Sequence, residues 1–102
     1  MKIVLLDGCK IEKLADVHRV FAEELAFPEW YGRNLDALFD LLTETREETG
    51  VIVVNAERMS TRLGGRYDRL MRVLRDAQRE NPHLHLAEDP FAPRSSEPEA
   101  AE

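Results

Sequence analysis

Apolar residues in this chain recur with two different periods, and each change of period marks an element. Ile3 to Leu6 is a continuous apolar run closed by the turn dipeptide Asp7-Gly8. Such a run suits a strand buried on both faces of a parallel sheet. From Leu14 the spacing is helical: Leu14, Val17, Phe21 and Leu25 form a stripe that Val20 widens, and Lys13, Asp16, Arg19, Glu23 and Glu24 take the other face. This helix is expected to end near Pro28, because the residue before a proline is pushed out of the α region. A loop over residues 28–33 leads to Asn34, whose side-chain oxygen can cap a second helix. Leu35, Leu38, Phe39 and Leu42 form the apolar stripe of that helix, which is expected to fray near Thr49-Gly50.

Val51 to Val54 is the clearest strand, apolar throughout and rich in β-branched residues. A polar connection follows, carrying Ser60-Thr61 and Gly64-Gly65. Tyr67, Leu70, Val73, Leu74 and Ala77 then predict a long third helix ending near Asn81-Pro82. His83-Leu84-His85-Leu86 alternates as an edge strand would. Strands interleaved with helices imply crossover connections and a parallel sheet. The expected fold class is α/β: a small three-stranded parallel sheet packed with three or four helices. Residues 1–87 form the expected domain. Residues 88–102, rich in Glu, Pro, Ala and Ser, cannot bury enough apolar surface to offset ordering and are expected to form a disordered acidic tail.

Composition narrows the functional classes. With 102 residues the chain supports one core. The longest early apolar run is too short for a secretory segment, which needs roughly 7–15 residues, or for a membrane span, which needs about 20. A cytoplasmic, soluble protein is therefore expected, and the lone Cys9 fits a reducing compartment. A net charge of −6 favours basic partners and disfavours nucleic acid and anionic membranes. No cofactor motif is present.

The loop and second helix carry the candidate chemistry. Trp30 and Tyr31 sit beside Gly32 with no apolar period to explain them. Asp36, Asp40, Glu44 and Glu47 recur every three or four residues, opposite the leucines. A charged stripe of this kind is ordinarily a solvated face, and Asp36 in the first helical turn is favoured by the macrodipole alone. The paired carboxylates could instead hold a metal for phosphodiester chemistry, but no phosphate loop or placed histidine accompanies them. Seven arginines between Arg58 and Arg79 face only Asp68 and Asp76. That run reads as a solvated, salt-bridged face, as an intramolecular partner for the acidic helix, or as the mark of a different binding partner; a nucleic-acid-binding stripe is less expected, since no aromatics interleave with it. His83 and His85, two apart, are conceivable zinc ligands with no third ligand placed. His18 reads as a capping or supporting residue of the first helix, and Cys9 as incidental.

Phe27 to Leu42, FPEWYGRNLDALFDLL, closely resembles the signature of the barstar family, the bacterial intracellular inhibitors of barnase-type, guanyl-preferring ribonucleases. Asp7-Gly8, Asp16-Val17-His18 and Val73 to Ala77 fall where that family has similar residues, so the resemblance spans residues 1–87. It implies a non-enzymatic protein that occludes the basic cleft of a secreted ribonuclease, one to one, with residues 28–48. It further implies that Asp40 takes the place of the substrate phosphate, that Asp36 meets a second basic group, and that Trp30 packs against the catalytic histidine. Gly32 and Asn34 would allow close backbone approach, and Asp76 would stand in for a peripheral glutamate. Tyr31, Phe39, Thr43 and Glu44 complete the expected contact surface. The chain departs from the family where Glu44-Thr45 replaces Gly-Trp, removing an aromatic rim contact. The alternative function is an immunity protein or interaction module for a different nuclease toxin or basic protein.

Overall fold

In the computed structural model, which describes residues 1–88, the chain runs β1 (Lys2–Asp7), α1 (Leu14–Glu24), α2 (Leu35–Glu44), β2 (Thr49–Val54), α3 (Ala56–Leu63), α4 (Gly65–Glu80) and β3 (Leu84–Glu88). The strands lie in the order β1-β2-β3, all parallel. Register places Val4 beside Val51, Leu6 beside Val53 and Val51 beside Leu86. This is the α/β sheet expected from the alternation of strands and helices.

Burial alternates along β1: Val4 and Leu6 are fully buried, whereas Ile3 is 45% and Leu5 51% exposed. The expectation that this run is covered on both faces is therefore corrected. A sheet whose strands follow in chain order takes right-handed crossovers that all pass over one face. The helical layer covers Val4, Leu6, Val51 and Val53, and the opposite face of β1 meets water. The buried residues of the helices, among them Phe21, Leu38, Leu42, Leu70 and Leu74, join those valines in one core.

The connection after β2 is a helix, α3, and not an irregular loop. Its apolar residues are few, but Ala56, Met59 and Leu63 are all buried at helical spacing. Gly8 permits the approach of α3 to the end of β1: a Cβ there would lie 2.0 Å from the Asn55 carbonyl oxygen. The end of α1 also differs. The helix stops at Glu24, earlier than the proline predicts, because Ala26 turns left-handed (φ 52°) and Phe27 N–H bonds to the Ala22 carbonyl at 3.0 Å. That 6→1 bond satisfies an end carbonyl of the helix. Glu88, expected in the tail, closes β3, and the remainder of the tail lies outside the described residues. Among the described residues no helix is long and apolar enough to cross a membrane.

Candidate partner-binding site

The second helix is held at both ends by asparagines. Asn34 caps its start, its Oδ1 accepting from Ala37 N–H at 2.8 Å. At the other end Asn81, buried at the close of α4, donates from Nδ2 to the carbonyls of Leu42 and Thr45, both at 2.8 Å. Two of the carbonyls that a helix terminus leaves unpaired are thereby satisfied by a residue 36 to 39 positions away. Leu38 and Leu42 fill the core, and Phe39 packs half-buried against it. The geometry of α2 is thus fixed from behind.

Its outer side carries Asp36, Asp40 and Glu44, all exposed and without an ion pair among the described residues. At i, i+4 and i+8 they form a row with about 6 Å between neighbours. The Thr43 hydroxyl, on a half-buried residue, donates to the Asp40 carbonyl at 3.0 Å and leaves the Asp40 carboxylate uncommitted. The two acids that follow behave differently. Glu47 pairs with the N-terminal ammonium at 3.8 Å. Glu48 accepts from His83 Nδ1 at 2.6 Å and His85 Nε2 at 2.7 Å, bonds that hold its carboxyl below the usual range. The five acids between residues 34 and 48 therefore divide into three free carboxylates and two engaged ones.

The loop before α2 separates its two aromatics. Trp30 is 74% exposed at the tip. Tyr31, expected beside it at a partner, is only 6% exposed, and its ring stacks edge-on against Phe27 and His18 with centroids 4.9 and 5.6 Å away. Its hydroxyl lies 2.5 Å from His18 Nδ1. His18 is 3% exposed. Burial, with the positive charge of Arg33 second, lowers its pKa, while burial pushes that of Tyr31 up to about 12. At neutral pH the tyrosine O–H therefore donates to an unprotonated Nδ1. The side chain of Tyr31 anchors the loop from inside; it does not present itself outward. Gly32 and Arg33 complete the turn, Arg33 in the left-handed region (φ 54°), and Asn34 Nδ2 donates to the Gly32 carbonyl at 3.4 Å.

Asp76 sits on α4, not on α2, and its carboxylate is paired with Arg79. The structure does not bring it into the free acidic row. None of the seven arginines of α3 and α4 pairs with an α2 acid among the described residues: Arg75 bonds Glu88 at 3.2 Å, and Arg62 donates to the carbonyls of Gly8, Cys9 and Ile11. The intramolecular partnership between the arginine run and the acidic helix is therefore not formed. The two histidines of β3 and its approach are engaged with Glu48, and no group of three metal-ligating side chains fit to hold a metal occurs among the described residues. Two supporting residues escaped the periodic reading, Asn81 as the distant cap and Arg62 as the strap on the β1–α1 turn, while His18, expected as a capping or supporting residue of α1, is the seat of Tyr31. The Asn81-Pro82 stop signal was the one visible hint of a cap.

Over residues 1–92 the chain matches the family model described as "Barstar (barnase inhibitor)". It is also 37% identical over 81 residues to the Bacillus subtilis (strain 168) protein named "Putative ribonuclease inhibitor YrdF", spanning 78% of this chain and 89% of that relative.

Proposed function

This chain belongs to the barstar family, a family of inhibitors and not of enzymes, and on that premise we propose that it inhibits a barnase-type ribonuclease by occluding the basic active-site cleft with residues 28–48. The observation that carries this reading is the row Asp36, Asp40 and Glu44, unpaired on a helix fixed at both ends and flanked by the exposed Trp30. A cleft that holds a phosphodiester concentrates Arg, Lys and His. Carboxylates meet such groups through charge-assisted bonds, bidentate with arginine. Asp40, in the middle of the row, is assigned the place of the substrate phosphate, and Asp36 a basic group at the rim. Trp30 supplies a large, rigid ring to pack beside the catalytic histidine, the usual company of a binding hot spot. The role of Tyr31 is revised to positioning: seated on His18, it presets the loop so that little ordering cost falls on association. Gly32 and Asn34 admit the partner's approach; Phe39 and Thr43 border the row. Asp76, held by Arg79, contributes at most at the periphery. The protein is proposed to act inside the cell in a one-to-one complex with an enzyme destined for secretion.

The test is titration of a barnase-type ribonuclease cleaving a fluorogenic RNA substrate. Activity is expected to vanish at one equivalent, with association slowing as salt rises. Asp40→Ala is expected to weaken the complex by at least ~2 kcal/mol, about 30-fold. Inhibition undiminished in that variant overturns the anchor. No inhibition at micromolar concentration overturns the barnase-type specificity and directs the search to a different nuclease.

A further inference from the structure

The net charge of −6 conceals a segregation. The outer side of α2 carries the acids Asp36, Asp40 and Glu44 and no base, whereas α3 and α4 carry seven arginines against Glu57, Asp68, Asp76 and Glu80. Two of those arginines are consumed by Glu88 and Asp76. Arg58, Arg66, Arg69 and Arg72 are exposed and have no ion pair among the described residues. Arg62 lies between them, its Nη1 spent on three carbonyls at 3.2–3.4 Å while its charge stays unneutralised.

These five groups are continuous in space. Arg58 and Arg62 line one concavity of about 400 Å³ with Glu57 and Thr61. Arg62 and Arg66 line the next, of about 370 Å³, with Lys13 and Glu12. From Arg66 the row climbs α4 through Arg69 and Arg72, each step rising about 4.5 Å along the axis. We propose that this arginine row binds the phosphate backbone of single-stranded RNA.

Two observations favour a polynucleotide over an acidic protein. The exposed large apolar residues of the described molecule are Met1, Ile3, Leu5 and Trp30, none of them on α3 or α4. A protein interface ordinarily has an apolar or aromatic centre, and this face has none. A phosphate backbone needs only cations and donors; the aromatic stacking platforms that single-strand binders usually add are absent from this face, so the proposed contact is to phosphates and not to bases. Every cation between Ala56 and Glu80 is an arginine, while the lysines are confined to positions 2, 10 and 13. Lysine would serve solubility equally well; the planar guanidinium fork is the side chain that matches phosphate oxygens bidentately. RNA is favoured over DNA because it is the polymer on which the proposed partner enzyme acts. The choice of RNA thus rests on the proposed function, but the face lies on helices other than α2, so failure of inhibition and failure of RNA binding are read separately.

The experiment uses the full chain without ribonuclease and a fluorescein-labelled single-stranded 15-nucleotide RNA, read by anisotropy. Saturable binding at 50 mM NaCl is expected, weakening about 100-fold by 200 mM if all five arginines neutralise phosphates. The triple variant Arg58→Gln/Arg69→Gln/Arg72→Gln, which spares the strap Arg62, is expected to bind at least 10-fold more weakly at 50 mM. Its salt dependence should shrink to about 7-fold over the same range. Circular dichroism checks its fold, and the wild-type salt slope decides the matter if it does not fold. The proposal is overturned by no anisotropy change up to 100 µM protein, by salt-independent binding, or by a folded triple variant that binds normally. It is equally overturned if poly-glutamate of matched charge displaces the RNA as well as unlabelled RNA does, which would make the partner an acidic polypeptide.

Discussion

Removing one oxygen, by Tyr31→Phe, tests how the loop before α2 is held. The ring keeps its contacts with Phe27 and the imidazole, so the apolar burial is unchanged. What disappears is the hydroxyl that donates to His18 Nδ1 at 2.5 Å. A net hydrogen bond is worth about 0.5–1.5 kcal/mol, and a buried acceptor left unpaired costs about 1–3 kcal/mol. His18 is fully enclosed, so the expected loss is about 2 kcal/mol. With a urea m-value of about 1–1.5 kcal/mol/M for a domain of this size, the midpoint should fall by about 1.3–2 M at pH 7.5. The same pair makes stability depend on pH. The folded-state pKa of His18 is lowered from 6.5 by burial and by Arg33. The unfolded chain therefore binds the proton first as pH falls. Stability is full above about 6.5, declines by up to about 1.4 kcal/mol per pH unit below it, and levels off beneath the folded value. His18→Gln should flatten this decline between pH 6.5 and 5, above the range where carboxylates titrate. A Tyr31→Phe midpoint within 0.2 M of wild type would refute the account of the loop's anchor, and an unaltered pH profile in His18→Gln would refute the titration.

Three further outcomes follow from the backbone and the caps. Asn81→Ala strips two bonds from the end of α2 and should cost about 2–3 kcal/mol, lowering Tm by about 10 °C or more in a thermal melt. Ala26→Gly relieves a left-handed alanine at the close of α1 and should leave stability unchanged or raise it by up to ~1 kcal/mol in urea unfolding; a loss would contradict the assigned geometry. Gly8→Ala places a methyl 2.0 Å from the Asn55 carbonyl oxygen and should prevent native folding, seen as loss of the cooperative melt.

The elements that repeat locally were legible in the chain. The strands at Ile3–Leu6 and Val51–Val54, the helix from Leu14, the Asn34 cap and the helix built on Tyr67 and Leu70 each follow from a period or a turn signal a few residues long. So does the parallel order, because crossover helices separate the strands. The acidic row of α2 was visible for the same reason: 3.6 residues per turn sets which side chains share a face. Helix α3 was harder to see, since three apolar residues in eight scarcely rise above a polar connection.

Decisions that depend on distant neighbours were not in the pattern. Trp30 and Tyr31 are adjacent and chemically alike, and only the seat formed by His18 and Phe27 sends one inward and leaves the other in water. Glu44 and Glu48 look equivalent along the chain, but His83 and His85, 35 and 37 residues beyond Glu48, engage it while Glu44 stays free. Asn81 closes a helix that ended almost forty positions earlier. The amino-acid sequence by itself determined which faces are apolar and which charges exist, because those follow from local geometry. The tertiary structure alone decided which charges are spent internally and which remain for a partner, because hydrogen bonds and ion pairs act over about 3–4 Å, and only the packed sheet brings such remote residues that close.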